Sequence, residues 1–405
     1  MPKLWRYDFC VEQEVHQSLP AQRNPHGGAQ LQTRLNRKNW SRELDSVGAL
    51  RGRPCNACFL LLGVMAMVLV ACDLGTKTSK KIVLSKNLPT PLRERGPDGE
   101  DHLVCEIRDM MELSGAIDIS GIDTLRMIGL GCLNLVGADS RLCISDCQLE
   151  WIIDDSTPAD YAPVLVDGGM LEIARVRSVV TEHRTSAPNL SDFAGPPMRA
   201  LFRARQCDSV SIKTVDARAR GQVPVMFLHC ISLGARIYID GAHLSRMGGG
   251  VYVGNFTTAV IQDFAADDCN MASIAAFDGY SLAITGAFVR RQGRLDSRGL
   301  TGTGDGITLD GVQSAVVKDS SFLEGGCYGI QVLGGRVDLS LVGCELSGGV
   351  THAIYSDRAN SVDLVSERRL HVEGCQFVGN VGSDYCLVGF GLINVKGAKD
   401  SDPAR

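Results

Sequence analysis

An all-β solenoid of about ten coils is the fold class this sequence predicts, and three observations carry the prediction. First, one short pattern returns three times: Gly306-Ile307-Thr308-Leu309, Gly329-Ile330-Gln331-Val332 and Ala353-Ile354-Tyr355-Ser356, with central isoleucines 23 and 24 residues apart. Second, another strand alternates with it, at residues 315–322 and again at 339–346, so each period holds two short strands and two turns. Such units stack, because one alone buries too little apolar surface. Third, the 405 residues include 45 glycines and only 6% aromatics, which suits many tight turns between short strands better than a helical bundle.

The register is open to arithmetic. One series runs Leu201, Met226, Val251, Ile274, Ile307, Ile330 and Ile354, with gaps of 25, 25, 23, 33, 23 and 24. The other runs Ile212, Ile239, Ile261, Ile284, Val317, Leu341 and Val372, with gaps of 27, 22, 23, 33, 24 and 31. Parallel stacking explains this spacing, since each coil lays like side chains on those of the coil before. The long gaps place inserted loops at residues 179–197, 290–304 and 357–369.

In chain order, residues 1–50 are polar and without a lasting period, and read as a disordered leader or as untranslated sequence, with Val47 as an alternative bacterial start. Arg51 and Arg53 then precede an apolar run over residues 58–71, too short for the roughly 20 residues of a spanning helix. A basic flank, a short apolar core and a small residue describe a cleavable signal over residues 51–71. A non-cleaved anchor and a buried core segment are the alternatives. Leu69-Val70-Ala71-Cys72 resembles the bacterial lipobox, which implies a diacylglycerol on Cys72, and Asp73 then implies retention at the inner membrane. Lysines among Thr, Ser and Pro make residues 72–100 a solvated tether. Val104, Ile107, Met110 and Met111 fall at helical spacing, so residues 103–113 are expected to form a short helix capping the N-terminal end. The solenoid fills residues 101–397 and leaves 398–405 as a tail.

The repeat resembles the right-handed parallel β-helix of the pectate-lyase-like superfamily. That resemblance implies a right-handed coil and carbohydrate chemistry. The superfamily's catalytic signatures are not matched. Asp267-Asp268 stands without the Asn-Thr-Asp and Gly-His-Gly of the galacturonan hydrolases, and the Asp-Pro-His-Asp of alginate epimerases is absent. Lyase chemistry is the enzymatic option that remains.

Cysteines recur in one context, Asp146-Cys147-Gln148-Leu149, Gly343-Cys344-Glu345-Leu346 and Gly374-Cys375-Gln376-Phe377, with Cys207 and Cys269 in similar turns. They read as an interior ladder of small hydrophobes. Disulfides between neighbouring coils and metal binding are the alternatives. The Cys55-x-x-Cys58 pair falls inside the signal.

If the isoleucines point inward, Thr308, Gln331 and Tyr355 point outward, in a row with Tyr252 and Ala275. Small neighbours (Gly250, Ser273, Gly306, Gly329, Ala353) are expected to floor a shallow groove beside them. Asn255, Asp278, Asp310 and Asp357 follow the strand one per coil, as Ca²⁺ ligands, as acid and base, or as ordinary turn caps. His352, Tyr355 and Arg358 share one coil as proton-transfer candidates. Arg290, Arg291, Arg294 and Arg298 would pair with the carboxylates of an acidic polysaccharide, or solvate a loop beside Asp296.

A formal net charge of −5 argues against nucleic acid as partner. Two functions are therefore expected: an envelope-anchored lipoprotein that binds or processes an acidic polysaccharide, or a non-catalytic glycan- or protein-binding envelope module. Either is expected to be a monomer held to the membrane through Cys72.

Overall fold

The computed structural model describes residues 88–183, 199–220, 223, 225–291, 304–348, 352–356, 368–380, 384–388 and 390–400. Of two compact units, Met1–Ser79 lies wholly outside them, as do the leader, the signal and Cys72. The described residues all belong to the second unit, Lys80–Arg405.

It is a parallel β-helix. One coil shows the plan: Ile307–Asp310, Ser314–Lys318 and Ser321–Leu323 are three short strands. Each pairs in parallel with its counterpart a coil later, Ile330–Val332, Asp338–Val342 and Glu345–Ser347. Three sheets thus run the length of the molecule, where the sequence suggested two strands per coil. Residues 315–322 do not form one strand, because Asp319 takes φ 48° and bends the chain between Lys318 and Ser321. Earlier in the chain the corners do not interrupt the strands, and Val164–Glu182, Arg199–Arg220 and Val225–Ser245 continue through them.

On the second sheet the inferred register holds at every step: Ile212, Ile239, Ile261, Ile284, Val317, Leu341 and Val372 stack directly. The column extends backward through Ile173, Ile144 and Ile119 and forward to Val395, which makes eleven rungs. Alternation sets this column apart, since an apolar residue every second position faces the core and its neighbours face solvent. On the first sheet, Val251, Ile274, Ile307, Ile330 and Ile354 stack as inferred. The residues above Val251 are Leu228 and Phe202, not Met226 and Leu201. The runs Ala200-Leu201-Phe202 and Val225-Met226-Phe227-Leu228 are buried throughout, so no alternation marks which residue heads the column.

Among the described residues, twelve other than glycine have positive φ, and each stands two positions after an inward-facing column residue, where one sheet turns into the next. At the second-to-third corner the ladder is unbroken: Gly121, Asp146, Arg175, Thr214, Gly241, Asp263, Gly286, Asp319, Gly343, Gly374 and Gly397. A single left-handed residue rotates the strand onto the next face, and only Gly adopts it without steric cost. Asp and Gly alternate here for a second reason: Asp319 Oδ1 lies 2.8 Å from where a Cβ on Gly343 would stand, and Asp263 Oδ1 is likewise 2.8 Å from that position on Gly286.

The expected capping helix over residues 103–113 is not formed. Asp101–Ile107 and Met110–Leu113 are strands, and the corner between them spaces their inward residues as a helix would. The N-terminal edge is covered instead by Leu92–Arg95, antiparallel to Asp101–Ile107 and within the segment read as tether. Arg126 fastens it, bonding Glu94 at 2.9 Å and Glu150 at 2.9 Å. Among the described residues there is no helix, and so none long and apolar enough to cross a membrane.

Candidate functional site

The outward face of the first sheet carries the candidate site. Pairing places Arg203, His229, Tyr252, Ala275, Thr308, Gln331 and Tyr355 in one straight column. Its last five members are the row the sequence indicated. The spacing of paired strands, about 4.8 Å, makes six steps of this column about 29 Å long. A parallel column holds Arg205, Ile231, Gly254, Phe277 and Asp310.

Rings occupy two stretches of this face. His229 and Tyr252 lie with centroids 5.0 Å apart, and Tyr252 stacks on Phe277 at 4.5 Å. Further along, Tyr328 stacks on Tyr355 at 4.3 Å with His352 alongside, 6.0 Å from Tyr355. Burial, then the charges of Arg203 and Arg205, push the His229 imidazole down to about 4, so the ring is neutral at physiological pH. Arg205 is exposed, while Ile231 and Leu233, 39% and 91% exposed, continue the surface beside it. Between the two ring clusters Ala275 and Thr308 are buried, and the Thr308 hydroxyl turns back to donate to Asp305 Oδ2 at 3.0 Å.

Asp305 is the residue that sequence reasoning passed over. Its carboxyl is buried, accepts from Thr308 and from the backbone N–H of Tyr328 at 3.2 Å, and is pushed up to about 7 by burial against those two bonds. It stands two residues before Ile307, as Tyr328 and His352 stand before Ile330 and Ile354, and that shared offset was the available signal.

The small residues beside the column do not floor a groove. A Cβ on Gly250 would stand 2.0 Å from the Ser273 carbonyl oxygen, and one on Gly306 or Gly329 would meet the next coil's carbonyl at 2.5 or 2.7 Å. They are small because neighbouring coils approach closely there, and Ser273 and Ala353 are buried. Of these small residues only Gly306 and Gly329 border a depression, a shallow one shared with Gly325, Tyr328, Ser347 and Asn380 at the corner with the third sheet, not a groove along the column.

The acidic row consists of corner residues. Asp278 takes φ 48° and sets its Oδ1 2.5 Å from where a Cβ on Gly311 would be. Asp310 Oδ1 accepts the Gly334 N–H at 2.9 Å, and burial raises its carboxyl above the usual range, with Asp278 adding to the rise. Asp278 and Asp310 are adjacent; Asp357 lies outside the described residues. Arg290 and Arg291 stand on the third sheet and the corner after it, both bound to Asp267, Arg290 Nη2 at 3.2 Å and Arg291 Nε at 3.0 Å. Burial tends to raise the Asp267 carboxyl, and the bonds from Arg291 and Arg290 outweigh that and hold it below its ordinary value. Arg294, Arg298 and Arg358 also lie outside the described residues. Among the described residues no group of three or more His, Cys, Asp or Glu side chains could hold a metal ion.

Comparison with known proteins follows the geometry. Residues 230–400 match the family model of the right-handed β-helix region. Among solved structures the chain is similar to tailspike protein 3 of bacteriophage CBA120, at 11% identity and a TM-score of 0.32 over 74% of this chain and 53% of that one. It therefore spans about half the length of that tailspike chain. It is also similar to the A-module of mannuronan C-5 epimerase AlgE6 from Azotobacter vinelandii, at 10% identity and a TM-score of 0.18 over 74% and 91% of the two chains. No curated protein matches. Sheet pairing and the family match agree on the architecture, a right-handed parallel β-helix.

Proposed function

We propose that the outward face of the first sheet binds an extended acidic polysaccharide. The observation that carries this reading is the row of rings His229, Tyr252 and Phe277 beside exposed Arg205, while Arg203 in the same column is buried and donates to the Asp160 carbonyl. Rings packed on one another along the column present an apolar, edge-on ridge against which successive sugars can lie. The exposed Arg205 guanidinium would take a carboxylate through charge-assisted hydrogen bonds. With a net charge of −5, a polyanion needs such a local positive patch.

Binding is favoured over cleavage by the aspartates. Asp310 accepts the Gly334 N–H of the next coil and Asp278 Oδ1 lies over Gly311 of the next coil, so each carboxylate is turned to a neighbouring corner. One observation supports processing: Asp305, a buried carboxyl titrating near neutrality beside Tyr328, has the character of an acid–base group.

Calorimetric titration of the domain with a polyuronate and with a neutral glucan tests the binding reading. Tyr252→Ala and Arg205→Ala are each expected to weaken polyuronate binding about tenfold. Unchanged affinity in both variants, or equal binding of the neutral polymer, would sink it. The ultraviolet absorbance of unsaturated uronate ends, compared between the wild type and Asp305→Asn, tests processing. A bacterial envelope address through lipidated Cys72 completes the proposal. Metabolic labelling with a fatty-acid analogue checks it, and equal label in Cys72→Ala would count against it.

A further inference from the structure

We propose that Cys344 and Cys375 form a paired oxidation site that closes into a disulfide between consecutive coils. Both follow the left-handed glycine of the second-to-third corner, Gly343 at φ 64° and Gly374 at φ 62°. The pairings on either side, Val342 with Glu373 and Glu345 with Gln376, set the two cysteines directly opposite each other. Both are buried, and the Cys344 N–H donates to Cys375 Sγ at 3.4 Å. Paired parallel strands lie about 4.8 Å apart, within the roughly 4.4–6.8 Å between Cα atoms that a disulfide spans. Cys147 occupies the same corner position, but its neighbours there are Ile122 and Val176.

The contact has an ordinary structural use as well. One coil earlier Ser320 stands at this place, and its Oγ accepts the Ala287 N–H at 3.1 Å. Cys375 performs the same task with sulfur. What distinguishes the later coil is that the donor residue is itself a thiol. Cys344 Sγ lies against the carbonyls of Val317 and Val342 at 3.4 and 3.5 Å, whereas Cys375 Sγ accepts the Cys344 N–H and has the Cys344 thiol beside it; these contacts hold Cys375 below its ordinary value and Cys344 above it. Cys375 is therefore the nucleophile of the pair.

The oxidant is a low-molecular-weight disulfide. The Cys375 thiolate attacks one of its sulfurs, forms a mixed disulfide and expels one thiolate. Cys344 then gives up its proton, attacks Cys375 Sγ and expels the second. Two protein thiols and one small disulfide become one protein disulfide and two small thiols. Among the described residues the strand stacked on this part of the second sheet, Phe390–Lys396, is itself largely exposed, so the pair lies beneath a thinly packed coil that opens locally for the reaction. The bridge would fasten two neighbouring coils to each other.

The test incubates the folded full chain with oxidised glutathione, quenches it with acid, and maps alkylated peptides by mass spectrometry. A linked peptide pair containing Cys344 and Cys375, lighter by about 2 Da, is expected, together with a thermal midpoint raised by several degrees and restored by reductant. Cys375→Ser keeps an acceptor for the Cys344 N–H, as Ser320 does for Ala287, so it is expected to fold like the reduced wild type and to form no bridge. Recovery of both cysteines as free thiols or as separate glutathione adducts in the folded wild type would overturn the proposal. So would equal linkage of either residue to other cysteines.

Discussion

Replacing Asp305 by asparagine should change how stability depends on pH. In the folded chain the carboxyl is displaced from 3.8 to about 7 by burial. The unfolded chain loses that proton near the ordinary carboxylate value, so between about pH 4 and pH 7 the folded state binds more protons than the unfolded one. Stability therefore falls as pH rises through this window, and the loss is complete above the folded value. Three units at about 1.4 kcal/mol each give about 4 kcal/mol, with little discount for screening because the group is buried. The introduced amide would keep the acceptor for the Tyr328 N–H, and the Thr308 hydroxyl would reverse from donor to acceptor. Urea denaturation of both proteins at pH 4.5 and pH 8 reads the effect. The variant is expected to gain on the wild type by a few kcal/mol at the higher pH. Parallel curves at the two pH values would refute the reasoning, since Asp305 would then titrate alike folded and unfolded.

Three further outcomes are expected. Gly343→Ala places a Cβ at φ 64° and 2.8 Å from Asp319 Oδ1. It should lower stability by about 1–3 kcal/mol, and Asp319→Gly in the same chain should restore part of it. Arg368 is fully buried and donates to the carbonyls of Leu333, Gly335 and Val388. Arg368→Lys cannot reach all three and should cost about 2–4 kcal/mol by denaturant melting. Ile284→Ala opens a void in the middle of the second-sheet column and should cost about 2–5 kcal/mol, whereas Ser281→Ala, part-exposed on the same strand, should stay within about 0.5 kcal/mol.

A repeat is visible in a sequence when the same constraint returns at each turn. The column from Ile212 to Val372 is of that kind: every coil needs one apolar side chain between two outward ones, and translation along the axis repeats the need. The outward row from Tyr252 to Tyr355 follows by the same alternation from the first-sheet column Val251 to Ile354. The corner grammar was half legible, because Gly and Asp mark turns, while Arg175, Thr214 and Glu324 in the same conformation do not.

Tertiary structure decided what depends on the neighbouring coil. Gly250, Gly306 and Gly329 looked like the floor of a groove, and only the carbonyl of the next coil shows that a Cβ has no room there. Arg290 and Arg291 looked available to a ligand, and Asp267, more than twenty residues earlier, claims both. Asp305, between two glycines, has no mark of burial in the sequence, and burial makes it titrate near neutrality. Sequence by itself determined the solenoid class, the second-sheet inward column and the outward row from Tyr252, because those are periodic along the chain. Stacking decided the charge state and the partners of each side chain, because distance and burial are set by residues one coil away.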